Sequence, residues 1–209
     1  MKPRALGLLL LVASLTLVAD QVTKYLAVAH LTDVMDGHQG SARVSAFLSE
    51  RNLDNDPPTE GARRRNTRPH RFIEDYWHFR YVENPGAAWG LFGNLPDGTR
   101  QAFFHVVSLA ALGFILAMYL KLGAGQGMVR VALALVAGGA LGNFVDRLLR
   151  GYVIDFIDWH WRNHPNLRWP TFNVADAAIC VGVTLMLLDS LRVRRLEPAT
   201  PVLAESPNP

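Results

Sequence analysis

The chain has 209 residues, half of them hydrophobic, with a formal net charge of +3 and one cysteine. The apolar residues form blocks separated by charged stretches, which is the pattern of a membrane protein rather than of a soluble domain. A single cysteine excludes an intrachain disulfide. The sequence shows no basic face with interleaved aromatic residues, so nothing in it indicates a nucleic-acid partner.

Four stretches are apolar and near the 20 residues that a membrane-spanning helix needs. They are 5–28, 102–120, 128–148 and 173–191. The first could instead be a cleaved signal peptide, because Lys2 and Arg4 precede its apolar core, but apolar character resumes after Asp20 and favours an uncleaved helix. The sequence therefore predicts an α-helical integral membrane protein, with a single membrane domain over 1–209.

Basic residues predict the orientation of these spans. With the amino terminus inside, the cytoplasmic segments carry most of the basic residues near the spans, namely Lys2, Arg4, Lys121, Arg130, Arg192, Arg194 and Arg195. This agrees with the positive-inside rule. We expect both termini in the cytoplasm, and residues 196–209 to form a disordered cytoplasmic tail.

The first external loop divides into two parts. The interval 33–71 is polar and rich in Pro, Gly and charge, so we expect a mobile insertion, in which Val44, Phe47 and Leu48 could form one face of a short helix on the membrane. The interval 72–95 begins with strand-like alternation over Phe72 to Val82 and then has the turn signal Asn84-Pro85-Gly86. We expect this loop to form a small extracytoplasmic β-sheet.

Polar side chains that are far apart in the sequence fall at one depth of the predicted topology. They lie at the outer ends of three spans or in the external loops: Asp20, Lys24, Asn84, Asn143, Arg147, Asp155, Asn173 and Asp176. An ionised side chain at a helix centre costs about 2.5–3.5 kcal/mol on insertion scales, so such residues mark working sites. The sequence predicts a functional site at the outer interface.

Helical spacing adds detail to this site. Asp20 precedes Lys24 by four residues, the favourable order for an ion pair along a helix. Gly138 and Gly142 in the third span, and Ala178 and Gly182 in the fourth, form small-xxx-small patterns that allow helices to approach closely.

Other reactive residues have simpler interpretations. Asp146 is an alternative partner for a catalytic acid, but we interpret it as an ion pair with Arg147, and Asp158 is a weaker alternative. His160 and His164 are four apart without an HExxH pattern, so we predict no metal site. Cys180 is expected in the core, and the tryptophans fit an interfacial aromatic belt; they are Trp77, Trp89, Trp159, Trp161 and Trp169.

Five short motifs support a family resemblance. They are DQVTK at Asp20–Lys24, NPGAAWG at Asn84–Gly90, GGALGN with DR over Gly138–Arg147, VIDF at Val153–Phe156 and FNVAD at Phe172–Asp176. In these motifs the chain resembles the lipoprotein signal peptidases, or signal peptidase II, of bacteria. The resemblance covers the four spans and the second half of the first loop, whereas the interval from about Asp33 to Arg71 is longer than in compact members.

The resemblance implies an aspartic endopeptidase of the bacterial inner membrane, active at its outer face. It would cleave lipid-modified prolipoproteins just before the diacylglyceryl-modified cysteine, as a monomer among membrane lipids, with neither a cofactor nor a metal. The two catalytic aspartates fall on Asp155 and Asp176. The supporting or substrate-binding residues fall on Asp20, Lys24, Asn84, Gly139, Asn143, Arg147 and Asn173.

The residues suit that chemistry. Two neighbouring carboxylates cannot both ionise cheaply, so one holds a proton and the other activates water. Which one holds the proton is open, because the pair titrates as a unit. Two alternatives are open. One is a small transporter or proton-conducting subunit, but its polar residues would be expected across the bilayer and not at one depth. The other is an adaptor that binds lipidated peptides without cleaving them.

Overall fold

The computed structural model describes residues 3–49, 67–86, 96–123, 125–162, 164 and 167–196. These residues contain five helices and three strands. In chain order they are α1 (Pro3–Leu31), α2 (Ser41–Ser49), β1 (His70–Ile73), β2 (Trp77–Asn84), α3 (Asp97–Lys121), α4 (Gly127–Arg150), β3 (Val153–Trp159) and α5 (Val174–Leu196).

Four of these helices, α1, α3, α4 and α5, are long and apolar enough to cross a membrane. This confirms the four predicted spans, although the helices extend past the predicted bounds; α1 continues to Leu31 and α3 begins at Asp97. Hydropathy identifies only the part of a helix that lies in the hydrocarbon core of the bilayer. The helix itself can continue through polar turns, because these turns still satisfy its backbone hydrogen bonds.

Helix α4 lies at the centre of the bundle and packs against α1, α3 and α5. Small residues make this possible, because a Cβ on Gly138 would lie 2.6 Å from Thr16 Cβ on α1. A Cβ on Gly182 of α5 would likewise lie 2.6 Å from the Ala132 carbonyl oxygen of α4. The predicted role of these glycines in close helix packing is confirmed.

The outward surfaces of the long helices are covered with exposed apolar side chains such as Leu15, Phe114 and Leu187. Cys180 also lies on an exposed surface, so the prediction that it is a core residue is wrong. A bilayer is as apolar as a bundle core, so hydropathy does not separate a lipid-facing residue from a buried one.

The three strands form an antiparallel sheet in the order β1-β2-β3. The structure confirms a small sheet but corrects its origin, because β3 comes from the segment between α4 and α5 rather than from the first loop. The predicted strand over Phe72 to Val82 is also divided into two, since the chain turns where the Tyr76 amide bonds to the Ile73 carbonyl. Residues 87–95 lie outside the described part of the chain.

Helix α2 forms where the sequence suggested a short helix inside the predicted mobile insertion. Its Phe47 is buried and meets Tyr25 of α1 edge to face at 5.5 Å, whereas Val44 and Leu48 are exposed. Phe47 belongs to a core cluster that also contains Tyr152 and Ile154 from β3 and the residue before it. Residues 50–66 of the insertion lie outside the described residues.

We predict that Gly182→Ala destabilises the bundle, because the new Cβ meets a backbone oxygen that cannot move without shifting α4. Overpacking of this kind costs about 1–3 kcal/mol. The measurement is the thermal midpoint in detergent, with Gly113→Ala as control, since nothing lies within 4 Å of a Cβ at Gly113. The control should be neutral or stabilising; equal midpoints for the two variants would contradict the packing role of Gly182.

Candidate active site

Asn173 links the two predicted catalytic acids. It lies immediately before α5, and its side-chain oxygen accepts the amide of Asp176 at 3.0 Å while the Asp176 carboxylate accepts the Asn173 amide at 3.3 Å. This reciprocal pair is a capping box at the start of a helix. The Asn173 side-chain nitrogen also donates to Asp155 Oδ1 at 2.7 Å, so one residue orients a carboxylate on β3 and another on α5.

Two further asparagines complete the hydrogen bonds of the dyad. Asn143 on α4 donates to Asp176 Oδ1 at 2.7 Å, and Asn84 at the end of β2 donates to Asp155 Oδ2 at 3.0 Å. Asn84 is itself held in a turn, because its side-chain oxygen accepts the Gly86 amide at 3.1 Å. Each carboxylate is therefore fixed by neutral donors, which set its direction without cancelling its charge.

Asp155 is 2% exposed, and its pKa is raised to about 7, with burial as the largest cause. The negative charge of Asp176 contributes to this increase, whereas the hydrogen bonds from Asn84 and Asn173 oppose it. Burial disfavours the charged form of a carboxyl group, and a neighbouring carboxylate disfavours it again. Asp155 is therefore the member of the dyad that can hold a proton near neutral pH.

A buried ion-pair network lies beneath the dyad, centred on Lys24. The Lys24 ammonium is 2.8 Å from Asp20 and 2.8 Å from Asp146, and all three side chains are fully buried. Lys24 also donates to the Asn143 side-chain oxygen at 3.1 Å. Arg150 pairs with Asp146 at 3.1 Å, so the network contains two acids and two cations.

The two buried acids of this network each hold the backbone next to a dyad member. Asp20 accepts the Ala175 amide at 3.0 Å, one residue before Asp176. Asp146 accepts the Ile154 amide at 3.1 Å, one residue before Asp155. Since Lys24 bridges the two acids, it connects the backbone of β3 to that of α5.

The structure corrects the predicted partner of Asp146, which is not Arg147. Adjacent residues on a helix point about 100° apart, so Asp146 faces α1 while Arg147 faces away from it. Arg147 donates to the Gly86 carbonyl at 3.2 Å and stacks over the Phe104 ring at 4.5 Å. Arg150 was not among the predicted site residues, although its spacing of four from Asp146 is typical of an ion pair along a helix.

Gly139 contributes by packing rather than by a polar contact. A Cβ there would lie 2.4 Å from the Ala175 carbonyl oxygen, and a Cβ on Gly142 would lie 2.4 Å from Asp20 Oδ2. Only glycine allows α4 to come this close to the first turn of α5. Gly139 therefore supports the site by letting Asp176 approach Asn143.

Asp158 belongs to a separate cluster. It pairs with Arg80 at 2.9 Å and with Arg168 at 3.3 Å, and it groups with His78 and His160, whose ligand atoms lie within 4.8 Å. The histidine that groups with His160 is therefore His78 and not His164, which lies four residues along the chain. Two arginines already balance the carboxylate and oppose a cation, so we assign this cluster to the sheet and not to a metal.

Comparisons with known proteins agree with this arrangement. Residues 12–192 match the family described as Signal peptidase (SPase) II. The chain belongs to the signal peptidase II family. It is 48% identical over 191 residues to a lipoprotein signal peptidase of an Anaeromyxobacter species, covering 90% of this chain and 86% of that protein. A second relative, from Thermodesulfovibrio yellowstonii, is 35% identical over 178 residues, which are 85% of this chain and 90% of that one.

The fold has a solved counterpart. A structure described as a bacterial membrane enzyme superposes with a TM-score of 0.63 and 25% identity, covering 94% of each chain. The signal peptidase II match spans every polar residue of the site, from Asp20 to Asp176. The chain is therefore a peptidase whose family region contains both the dyad and the network beneath it.

We predict that Lys24→Met strongly destabilises this signal peptidase II family member, because Asp20 would remain buried without a cation. Removing one partner of a buried pair costs about 3–5 kcal/mol. The measurement is unfolding in detergent, with Lys121→Met at the exposed end of α3 as the matched control.

The double variant Lys24→Met with Asp20→Asn should recover part of the loss, since Asp146 keeps Arg150. A single variant as stable as the unaltered chain would show that the network does not depend on Lys24.

Proposed function

We propose that this peptidase is a membrane-embedded aspartic endopeptidase that removes the signal peptide of bacterial prolipoproteins. It cleaves just before the diacylglyceryl-modified cysteine. The name lipoprotein signal peptidase, carried by relatives that cover most of the chain, supports the substrate class. The observation that carries the mechanism is the pair of carboxylates, Asp155 and Asp176, both hydrogen-bonded by Asn173.

The raised pKa of Asp155 supports a division of roles between the two acids. Asp155 is the neutral member and donates its proton to the scissile carbonyl oxygen, while Asp176 is the carboxylate that takes a proton from water. The resulting hydroxide forms the new C–O bond and gives a tetrahedral diol. Asp176 then passes its proton to the peptide nitrogen while Asp155 takes a proton back from one diol hydroxyl; the C–N bond breaks, the signal peptide carboxyl and the cysteine amine are released, and both acids return to their starting protonation.

The neighbouring donors position the reactants. The Arg147 guanidinium lies beside the dyad on α4 and holds the Gly86 carbonyl, so it fixes the turn after β2 against the helices. Asn84 ends β2 within reach of Asp155, and an extended substrate lying along this strand can pair its backbone with the sheet. Donors fixed in a dry site stabilise developing charge better than mobile water does.

The site is at the extracytoplasmic surface of the inner membrane, with both termini in the cytoplasm. This orientation rests on the distribution of basic residues at the opposite ends of the spans. In this proposal the enzyme is a monomer, and it contacts membrane lipids because its lipid-anchored substrate reaches the site from the bilayer. The dyad needs no cofactor or metal to activate water.

We predict that Asp155→Asn and Asp176→Asn each abolish cleavage of a diacylglyceryl-modified prolipoprotein in detergent. An amide keeps the size but cannot exchange the proton, and positioned acid–base groups contribute about 10²–10⁴-fold to rate. Asp36→Asn is the control, since Asp36 is an exposed acid paired with Arg68.

Each variant must also keep the thermal midpoint of the unaltered chain. If a folded dyad variant still cleaves, Asp146 and Asp158 become the acids to test. An unaltered chain that binds the lipopeptide without cleaving it would support the adaptor function instead.

We also predict that activity falls as the pH rises through about 7, because Asp155 must keep its proton. The Asn84 hydrogen bond lowers the pKa of Asp155, so Asn84→Ala raises this pKa and should move the falling limb to higher pH. The measurement is kcat/KM against pH, with Ser45→Ala on the exposed side of α2 as control. A rising limb near neutral pH that moves upward in Asn84→Ala would reverse the two roles.

A further inference from the structure

The chain beyond β3 forms a short hairpin with two unlike faces. His160 and Arg168 are bridge partners, and on either side of them the Trp161 amide bonds to the Leu167 carbonyl at 2.9 Å and the Trp169 amide to the Trp159 carbonyl at 2.8 Å. Opposite residues of an antiparallel pair share a face, and alternate residues share it too. One face therefore carries Trp159, Trp161, Leu167 and Trp169; we call it the aromatic face.

The two faces differ in chemistry. All four side chains of the aromatic face are between 56% and 58% exposed, whereas on the opposite face His160 is 3% exposed and the exposed side chain of Arg168 pairs with the buried Asp158 at 3.3 Å. Three tryptophans and a leucine on one hairpin form an apolar patch of the kind that marks an interaction surface rather than chance exposure.

The hairpin lies at the end of a membrane span. After Trp169 the chain returns to β3, where Phe172 bridges Ile157, and the span in α5 begins at Val174. Five residues reach at most about 18 Å when fully extended. The aromatic face is therefore tethered close to the level at which α5 enters the bilayer.

We propose that the aromatic face is an interfacial anchor that lies against the phospholipid bilayer surface at the sheet end of the bundle. Tryptophan is enriched at this level because its ring is apolar and its N–H is polar. Arg162 follows Trp161 with a positive φ of 48° and is exposed; its Nε donates to the Tyr76 hydroxyl at 3.5 Å, and its exposed cationic side chain is of the kind that attracts lipid phosphates. Tyr76 packs edge to face on Trp161 at 5.2 Å and holds that ring in place.

The anchor has a consequence for the dyad. Asp155 and Trp159 are four residues apart on the same strand, β3. Contact of the aromatic face with lipid would set the height of β3, and with it that of Asp155, relative to the bilayer. This consequence, unlike the anchor itself, rests on the proposed function, in which the scissile bond adjoins a lipid-modified residue.

The test uses tryptophan fluorescence of the full chain in phosphatidylcholine–phosphatidylglycerol vesicles without substrate. Trp77, Trp89, Trp159 and Trp169 are replaced by Phe, so that Trp161 alone emits. Lipids brominated near the headgroup end of their acyl chains should cause about a twofold loss of emission, as expected for a ring at the headgroup level, while aqueous iodide should have little effect. If the fourfold variant does not fold, the difference between the unaltered chain and Trp161→Phe provides the same comparison.

Quenching by iodide and none by brominated lipid would overturn the anchor. Quenching that needs a prolipoprotein with brominated acyl chains, and is absent with brominated bilayer lipid, would also overturn it and identify the face as a substrate site. The fluorescence result does not depend on turnover, so failure of the anchor and failure of the proposed protease activity are separate outcomes.

Discussion

The geometry of the site depends on the ion pairs that the Lys24 ammonium forms with two buried acids. The ammonium is fully buried between Asp20 of α1 and Asp146 of α4, where an unpaired charge would be far more costly than any single packing contact. Buried ion pairs add little net stability compared with apolar packing, but they penalise every arrangement in which a partner is missing. In this protein, Asp146 accepts the backbone amide before Asp155 on β3, and Asp20 accepts the backbone amide before Asp176 on α5. Because Lys24 joins these two acids, any arrangement in which β3 and α5 move apart would break one of its ion pairs.

The dyad above this network is preorganised by neutral groups. Asn173 and Asp176 form a capping box that fixes the Asp176 carboxylate at the helix start, where the exposed amide groups favour negative charge. Asp155 instead sits on a strand and is nearly fully buried. Two carboxyl groups joined by one asparagine thus occupy unlike environments, and the proposed mechanism uses that difference when it gives the proton to Asp155.

Much of the site was predictable, because the predicted spans give each polar residue an approximate depth in the membrane. Once four spans were recognised, Asn84, Asn143 and Asp176 fell at one level without any knowledge of their contacts. The strand pairing was less accessible: Asn84 and Asp155 are 71 residues apart, and alternation in Phe72 to Val82 does not reveal which segment pairs with it. Arg150 was missed because it lies just beyond the predicted span 128–148, although its spacing of four from Asp146 predicts an ion pair.

Arg150 also explains how the insertion is joined to the site. Its guanidinium donates to the Phe47 carbonyl at 2.9 Å in the last turn of α2 and stacks over the Phe47 ring at 4.2 Å. The last carbonyls of a helix have no partner within it, so this contact caps α2. The same guanidinium neutralises Asp146, which holds the backbone before Asp155. Helix α2 is therefore coupled to the site, since Arg150, which caps its last turn, also neutralises the Asp146 carboxylate that holds the backbone next to the dyad.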